Sequence, residues 1–455
     1  MQITNPANNE SIAKINTDSP QSILEKFNLA KSAYPLWKNA GLKHRLECIE
    51  KFSGLLRDNI DELAKTLTME MGKPLQESNN EIKGAVKKIK FFLQESQRIL
   101  APTQVNVDGN TQEEISYDPL GVIVNISAWN YPYLVGVNIF IPALICGNCV
   151  LYKPSELTSL TGQKIEQLMH QAGVPKHVFI AAYGKGEVGR ELLGLPINGA
   201  YFTGSYNTGK LIHQGLAGRM IPMILELGGK DPLYVTEDIS DLDQVAAAVT
   251  EGCFYNNGQS CCSVERVYVH EKIYPKFIQL MQKHTQALKV GDPMDASNQQ
   301  GALARPEHLK FLQGQLADAI GKGGKILCGG HALPGPGAFF PPTLIENANH
   351  NMQLMQQETF GPLKGVMQVS GDEEAIKLMN DTEYGLTAAV YCQNTQRAQE
   401  ILAQVNSGTS YINCCDRVSG YLPWSGRRHS GMGSSLSHLG LYAFCAPRGV
   451  HLRPM

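Results

Sequence analysis

Three residues far apart in the chain have types and settings suited to covalent chemistry. Cys261 lies in Phe254-Tyr-Asn-Asn-Gly-Gln-Ser-Cys-Cys, where a helical pattern ends and a strand pattern begins. Reactive groups are often placed at such connections, and a cysteine nucleophile needs an accessible, partly ionised thiol. Taken alone, Cys261 and Cys262 read equally well as two small buried hydrophobes; in a strand, the Cys262 thiol would face a different direction from that of Cys261. Glu226 stands between apolar neighbours in Leu225-Glu-Leu-Gly-Gly-Lys230. Burial there would raise its pKa and make it a general base, although a lone Glu is more often a helix N-terminal carboxylate or half of a surface ion pair. Asn130, in Ala128-Trp-Asn-Tyr-Pro132, is an amide at a strand end that could donate to an oxyanion, or could simply form a turn.

Phe202-Thr-Gly-Ser-Tyr-Asn-Thr-Gly-Lys210 follows a short strand and opens a helix. Glycines there let backbone amides approach a phosphate, and a helix N-terminus favours the anion. Gly204 and Gly209-Lys210 imitate a P-loop, but Leu211 stands where that loop needs a Ser or Thr to hold magnesium, so the triphosphatase reading fails. Cys146-Gly-Asn-Cys149 has metal or redox spacing without a second pair and reads as a helix-to-strand turn; no metal is expected.

These groups need a scaffold to bring them together. Apolar residues at helical spacing predict helices over Pro20 to Tyr34, Lys43 to Met71 and Glu77 to Leu100. Alternation at 103–107 and 113–117 around Asp108-Gly-Asn110 predicts a β-hairpin. Strands at 121–127, 149–153, 178–183 and 200–203 then alternate with helices at 132–146, 163–172 and 209–217, which implies a parallel sheet covered on both faces. A second α/β run follows Leu227: a helix capped by Ser240 and stopped at Gly258, a strand over 264–270 and a helix over 273–288.

At 455 residues, two large domains and a smaller element are a fair expectation. A net charge of -2 lacks the basic footprint of a nucleic-acid binder. The uncharged stretch from Pro119 to Tyr152 is interrupted by four asparagines and two prolines and reads as buried strand and helix rather than membrane span. The polar start resembles no secretory signal. Eleven scattered cysteines then suggest reduced thiols in the cytoplasm.

The order of these pieces resembles the aldehyde dehydrogenase superfamily. The segments that carry the likeness are Trp129-Asn-Tyr-Pro132, Lys153-Pro-Ser-Glu156, Phe202-Thr-Gly-Ser205, Glu226-Leu-Gly-Gly-Lys230, Gly258-Gln-Ser-Cys261, Glu358-Thr-Phe-Gly-Pro362, Tyr384-Gly-Leu-Thr387 and Ser430-Gly-Met-Gly433. The resemblance implies an α/β fold: a doubly wound dinucleotide-binding domain (1–102 and 119–226), a second α/β catalytic domain (227–430), and a small β-hairpin oligomerisation element (103–118 and 431–455) that makes a homodimer or homotetramer. It implies NAD(P)-dependent oxidation of an aldehyde to the acid through a thioester, without metal. Cys261 would be the nucleophile, Glu226 the base, and Asn130 with the Cys261 amide the oxyanion hole. Trp129, Lys153, Glu156, Gly204, Ser205, Gly209, Glu358 and Phe360 would meet the cofactor. Glu156, facing the adenine ribose, favours NAD over NADP because a carboxylate repels a 2′-phosphate.

Some positions depart from the family. Many members carry a Lys three residues before the Pro of the first helix, where this chain has Ile139 ahead of Pro142, so a relay through that Lys is absent. Pro423-Trp-Ser-Gly426, followed by Arg427 and Arg428, replaces a late Pro-Phe-Gly-Gly pattern. By family analogy Tyr133, Ser260, Cys262, Leu422 and Trp424 line the substrate funnel and favour a neutral aldehyde. Transfer of the acyl group to coenzyme A is the enzymatic rival, disfavoured by Glu226. A catalytically silent relative is the other, disfavoured by Cys261, Glu226 and Asn130 together.

Overall fold

The computed structural model describes residues 1–453. The chain opens with a hairpin of β1 (Gln2–Thr4) and β2 (Ser11–Lys14), strands too short for their alternation to be read in the sequence. Helices α1 (Pro20–Asn39), α2 (Leu42–Asp58), α3 (Ile60–Met71) and α4 (Leu75–Ile99) follow. Ser19 caps α1 by accepting from the Ser22 amide, and Pro20 sits in the first turn, where a missing N–H is tolerated. The helix continues through Pro35, beyond the expected stop at Tyr34, because Trp37 anchors its last turn: the indole is buried and donates to the Leu144 carbonyl at 3.1 Å. The helix expected from Lys43 to Met71 is two helices, broken at Asn59.

A hairpin of β3 (Thr103–Asp108) and β4 (Thr111–Pro119) turns at Gly109, whose φ is +56°. The first large sheet then assembles from β5 (Val122–Ile126), β6 (Cys149–Lys153), β7 (Phe179–Ala181), β8 (Gly199–Thr203) and β9 (Met223–Glu226). Its helices are α5 (Phe140–Cys146), α6 (Ser159–Gln171), α7 (Gly186–Gly194) and α8 (Tyr206–Leu216). The helix expected from Pro132 begins only at Phe140, after a short 3-10 turn. The buried Glu81 carboxylate instead holds the Tyr133 and Leu134 amides in a turn.

The second sheet contains β10 (Pro232–Val235), β11 (Arg266–His270), β12 (Lys325–Cys328), β13 (Thr343–Glu346), β14 (Leu363–Val369), β15 (Thr387–Tyr391) and β16 (Thr409–Ile412). Helix α9 (Leu242–Phe254) leads towards Cys261, and α10 (Tyr274–Gln286) follows β11. The cap of α9 is Asp241, not Ser240: its side chain accepts from the Gln244 amide, within reach from one residue further on. The strand order is 12-13-14-11-10-15-16, parallel except at the β12–β13 pair.

The chain finally returns. β17 (Gly431–Met432) pairs antiparallel with β9, and β18 (Cys445–Leu452) pairs with β4, making the hairpin a three-stranded sheet. The first large sheet therefore has the order 17-9-8-5-6-7. β5 is central, and the chain runs to β6 and β7 on one side and to β8 and β9 on the other. In a doubly wound sheet this reversal opens a crevice outside the carboxyl ends of the strands. Among the described residues, no helix is long and apolar enough to cross a membrane.

Candidate active site

The crevice is where the topology requires it. A cleft of about 1120 Å³ lies beyond the carboxyl ends of β5, β6, β8 and β9. Those ends present Trp129 and Asn130, Lys153 and Glu156, Gly204 and Ser205, and Glu226 in turn, while Glu358 and Phe360 close the opposite wall. Ser205 caps α8 by accepting from the Thr208 amide, which aims the amino end of an eleven-residue helix into the cleft. Gly209, expected at a pyrophosphate turn, does not line the cleft. A Cβ there would come within 2.5 Å of Leu227, so its role is to let α8 lie close to the sheet.

Lys153 is buried and sits 3.8 Å from the Glu156 carboxylate, which is 40% exposed at the cleft. Burial pushes the Lys153 pKa down, and Glu156 opposes that shift. Glu358 accepts from the Gly229 amide at 2.9 Å. A Cβ on Gly228 would come within 2.3 Å of that carboxylate, so only glycine permits the approach. Burial, with the negative charge of Glu265 behind it, pushes Glu358 up to about 8. Trp129 meets Phe360 edge to face at 5.5 Å.

Cys261 lies on a turn between α9 and β11. Asn256, Asn257 and Gly258 before it all have positive φ, a left-handed run that reverses the chain. Side-chain hydrogen bonds from Asn257 to Ala302 and from Asn256 to Gln259 hold this conformation, and the Glu77 carboxylate accepts from the Asn256 amide. Cys261 is half-buried, unlike Cys262. Cys262 is in the same turn and not in a strand; its thiol donates to Asp416 Oδ1 at 2.9 Å. Contact with Cys261 and burial push the Cys262 thiol well up, which keeps it protonated.

Glu226 is buried at the end of β9. Thr203 Oγ1 donates to one carboxylate oxygen at 3.2 Å and Ser435 Oγ to the other. Burial raises its pKa, opposed by Ser435, Lys88 and Thr203 in that order. Asn130 is also buried, its side chain donating to the Gln259 carbonyl at 3.1 Å, beside the cysteine turn.

A second cavity of about 610 Å³ opens on the other side of these groups. Cys261 and Glu226 line both cavities. Ser260, Cys262 and Trp424 line the second, as expected, but Tyr133 is fully buried elsewhere and Leu422 is not on its wall. Lys88 and Asp416 stand in it, and Lys87, Lys90 and Arg417 are at its walls, so it is more charged than the sequence suggested. Sequence reasoning missed Thr203 and Ser435 as partners of Glu226, and missed Lys88 altogether. Thr203 lies inside the Phe202-Thr-Gly-Ser205 motif, while Ser435 and Lys88 carry no local signal.

A thiol and a buried carboxylate in the wall between a dinucleotide-sized crevice and a substrate-sized funnel define an oxidoreductase site. The chain belongs to the aldehyde dehydrogenase family, whose model matches residues 1–450, and it is an enzyme of aldehyde oxidation. It is 33% identical over 435 residues to a betaine aldehyde dehydrogenase of Vibrio vulnificus, covering 94% of this chain and 89% of the relative. It is 32% identical over 452 residues to an NADP-dependent succinate-semialdehyde dehydrogenase of Deinococcus radiodurans, covering 99% and 94%. The fold superposes on the aldehyde dehydrogenase KauB of Pseudomonas aeruginosa with a TM-score of 0.97 at 27% identity, covering 100% of this chain and 93% of that one.

Proposed function

We propose that the oxidation runs on Cys261, Glu226 and Asn130. The observation that carries this reading is that Cys261 and Glu226 line both cavities at once. An aldehyde entering by the smaller cavity meets the thiol with the crevice behind it. The Cys261 thiol gives up its proton to solvent, the thiolate bonds to the carbonyl carbon, and the carbonyl oxygen becomes an alkoxide facing donors from the Asn130 side chain and the Cys261 amide. A dinucleotide held in the crevice by Trp129, Lys153, Ser205, Glu358 and Phe360 would supply the hydride acceptor that lets the adduct on Cys261 become a thioester. Glu226 then takes a proton from water, the hydroxide attacks the acyl carbon, the carbon–sulfur bond breaks, and the acid leaves.

The crevice fits NAD or NADP. Its volume, the α8 amino end for a diphosphate and the glycine-permitted approach of Glu358 all suit a dinucleotide. Solved relatives with the same fold were crystallised with each: an indole-3-acetaldehyde dehydrogenase with NAD and a 3,6-anhydro-L-galactose dehydrogenase with the phosphorylated form. Trp129, Lys153, Glu156, Gly204, Ser205, Glu358 and Phe360 hold the cofactor, with Glu156 favouring NAD. The two large sheets divide the chain into a dinucleotide unit and a catalytic unit, and the three-stranded sheet joins subunits into a dimer or tetramer. Free thiols at all eleven cysteines suit the cytoplasm.

Rapid mixing tests the division of labour. Glu226→Gln forms the thioester once, giving a burst of reduced cofactor near one per site, then turns over slowly; mass spectrometry finds the acyl group on Cys261. Cys261→Ala gives neither burst nor adduct. Wild-type turnover in Glu226→Gln, or normal activity in Cys261→Ala, would sink the assignment.

A further inference from the structure

Five lysines are buried among the described residues: Lys73, Lys88, Lys153, Lys230 and Lys364. Four face a carboxylate: Lys73 lies 2.6 Å from Glu81, Lys230 2.5 Å and Lys364 3.7 Å from Glu265, and Lys153 3.8 Å from Glu156. Lys88, midway along α4, is the exception. Its ammonium donates to the Leu134 carbonyl at 3.1 Å and to Asn138 Oδ1 at 2.9 Å, both neutral acceptors. It forms no ion pair among the described residues. An ammonium has three N–H donors, and these two bonds leave one over. A buried cation without a counter-charge is costly, so its retention calls for a function.

The cavity supplies the counter-charge at longer range. Lys88 lines the funnel together with Glu226 and Cys261. Burial pushes the Lys88 pKa down to about 8, and Glu226 is the strongest influence opposing that shift. Reciprocally, Lys88 helps to draw the Glu226 pKa back down, after the Ser435 hydroxyl and ahead of that of Thr203.

The remaining ionisable neighbours cannot take this role. On α4, Glu81 is spent on Lys73, and Lys87 and Lys90 are exposed to screening solvent. Across the cavity, the Tyr131 and Tyr255 hydroxyls and the Cys262 thiol are pushed far up by their surroundings and stay neutral. Asp416 has the wrong sign and is engaged by Cys262, and Arg417 is exposed. Cys261 is itself the group that becomes acylated.

We propose that Lys88 is a positioning residue for thioester hydrolysis: fixed on two neutral acceptors and turned to the funnel, its ammonium keeps Glu226 ionised and so sets the pH at which Glu226 can deprotonate water. The inference rests on Glu226 being the base. Distance matters to it. A direct ion pair would tether Glu226 and weaken it as a base, whereas a cation held away on α4 biases its charge and leaves the carboxylate oxygens for water and for the hydroxyls of Thr203 and Ser435.

The test is the pH profile of Lys88→Met, with Lys88→Arg as the charge-keeping control, using an aldehyde for which rapid mixing shows hydrolysis to limit turnover. Calorimetry first establishes that each variant is folded. In Lys88→Met the burst keeps its amplitude and the limb assigned to Glu226 moves up by about one pH unit, so kcat falls by up to about tenfold on the acid side of that limb and is unchanged above it. Lys88→Arg keeps the wild-type limb. A limb that stays in place, a kcat loss that is the same at every pH, or a raised KM confined to carboxylate-bearing aldehydes would overturn the proposal; the last would assign the ammonium to substrate binding. Glu226→Gln separates the two readings. If it fails to abolish the limb with Lys88 in place, the base assignment fails and takes the role of Lys88 with it; if it abolishes the limb while Lys88→Met leaves the limb unmoved, the role of Lys88 alone fails.

Discussion

The Lys73 ammonium donates to the Asn130 carbonyl oxygen at 2.6 Å, so the residue proposed to offer its amide to the oxyanion is held by its own main chain from the α3–α4 connection. The same ammonium pairs with Glu81 at 2.6 Å, and Glu81 in turn accepts from the Tyr133 and Leu134 amides. It also lies 4.1 Å from the centre of the Tyr131 ring. One buried ion pair therefore sets the path of the chain through Asn130 to Leu134.

Removing one member should be far worse than removing both. Lys73→Met leaves Glu81 charged and buried, and we expect a loss of about 3–5 kcal/mol, while the double replacement with Glu81→Leu recovers part of it. Urea denaturation of the two variants checks the order. A double variant less stable than Lys73→Met would contradict it.

Cofactor choice should follow Glu156. If it faces the adenine ribose as proposed, its carboxylate would repel a 2′-phosphate, and Lys153 at 3.8 Å would offset part of the repulsion. Glu156→Gln should shift the NADP-to-NAD ratio of kcat/KM towards NADP by about tenfold, corresponding to about 1.4 kcal/mol. A ratio unchanged in Glu156→Gln would move the ribose contact elsewhere.

Glu358 should cost stability at high pH. Burial and Glu265 push it up to about 8, so between the unfolded carboxylate range and that value the folded protein binds the proton more tightly. Its contribution is present in acid and lost as the pH rises through about 8. Glu358→Gln should therefore gain a few degrees in apparent Tm above that pH and nothing in acid. Differential scanning calorimetry at the two pH extremes reads this directly, and an equal gain at both would refute it. The same variant should bind the dinucleotide more weakly.

Every residue of β3 is exposed, including Val105 at 53% and Val107 at 59%. An open edge with apolar side chains is a template for another chain. Light scattering should give a dimer or tetramer, and Val105→Lys with Val107→Lys should shift it to monomer. A wild-type monomer with full activity would remove the subunit role.

The sequence displayed the periodic elements and the chemically loaded segments, because both are local. β6 falls at its expected limits, and the crevice-facing ends of β5, β6, β8 and β9 were marked by their polar residues. What stayed hidden depends on tertiary contact. Trp37 carries α1 past Pro35 through a bond to residue 144, and Glu81 reshapes the segment at 133–134 from another helix. Ser435 reaches Glu226 across 209 residues of sequence. Lys88 belongs to the amphipathic pattern of α4 and looks like any solvated lysine until the cavity beside it is seen. Gly209 shows the converse: a glycine at phosphate-loop spacing whose missing side chain serves packing against Leu227.

The antiparallel pairing of β17 with β9 has a consequence for the order of assembly. Gly431 lies opposite Glu226, so the pocket of the carboxylate is completed only when a strand from beyond the whole second sheet has come back. Such a contact spans a very long loop and is entropically among the last to close. A refolding chain would recover its helical and sheet signals before its surroundings at Glu226. If Cys261 and Glu226 have the proposed roles, an aldehyde met in that interval with oxidised dinucleotide bound would lose its hydride to the cofactor and remain as a stalled acyl group on Cys261.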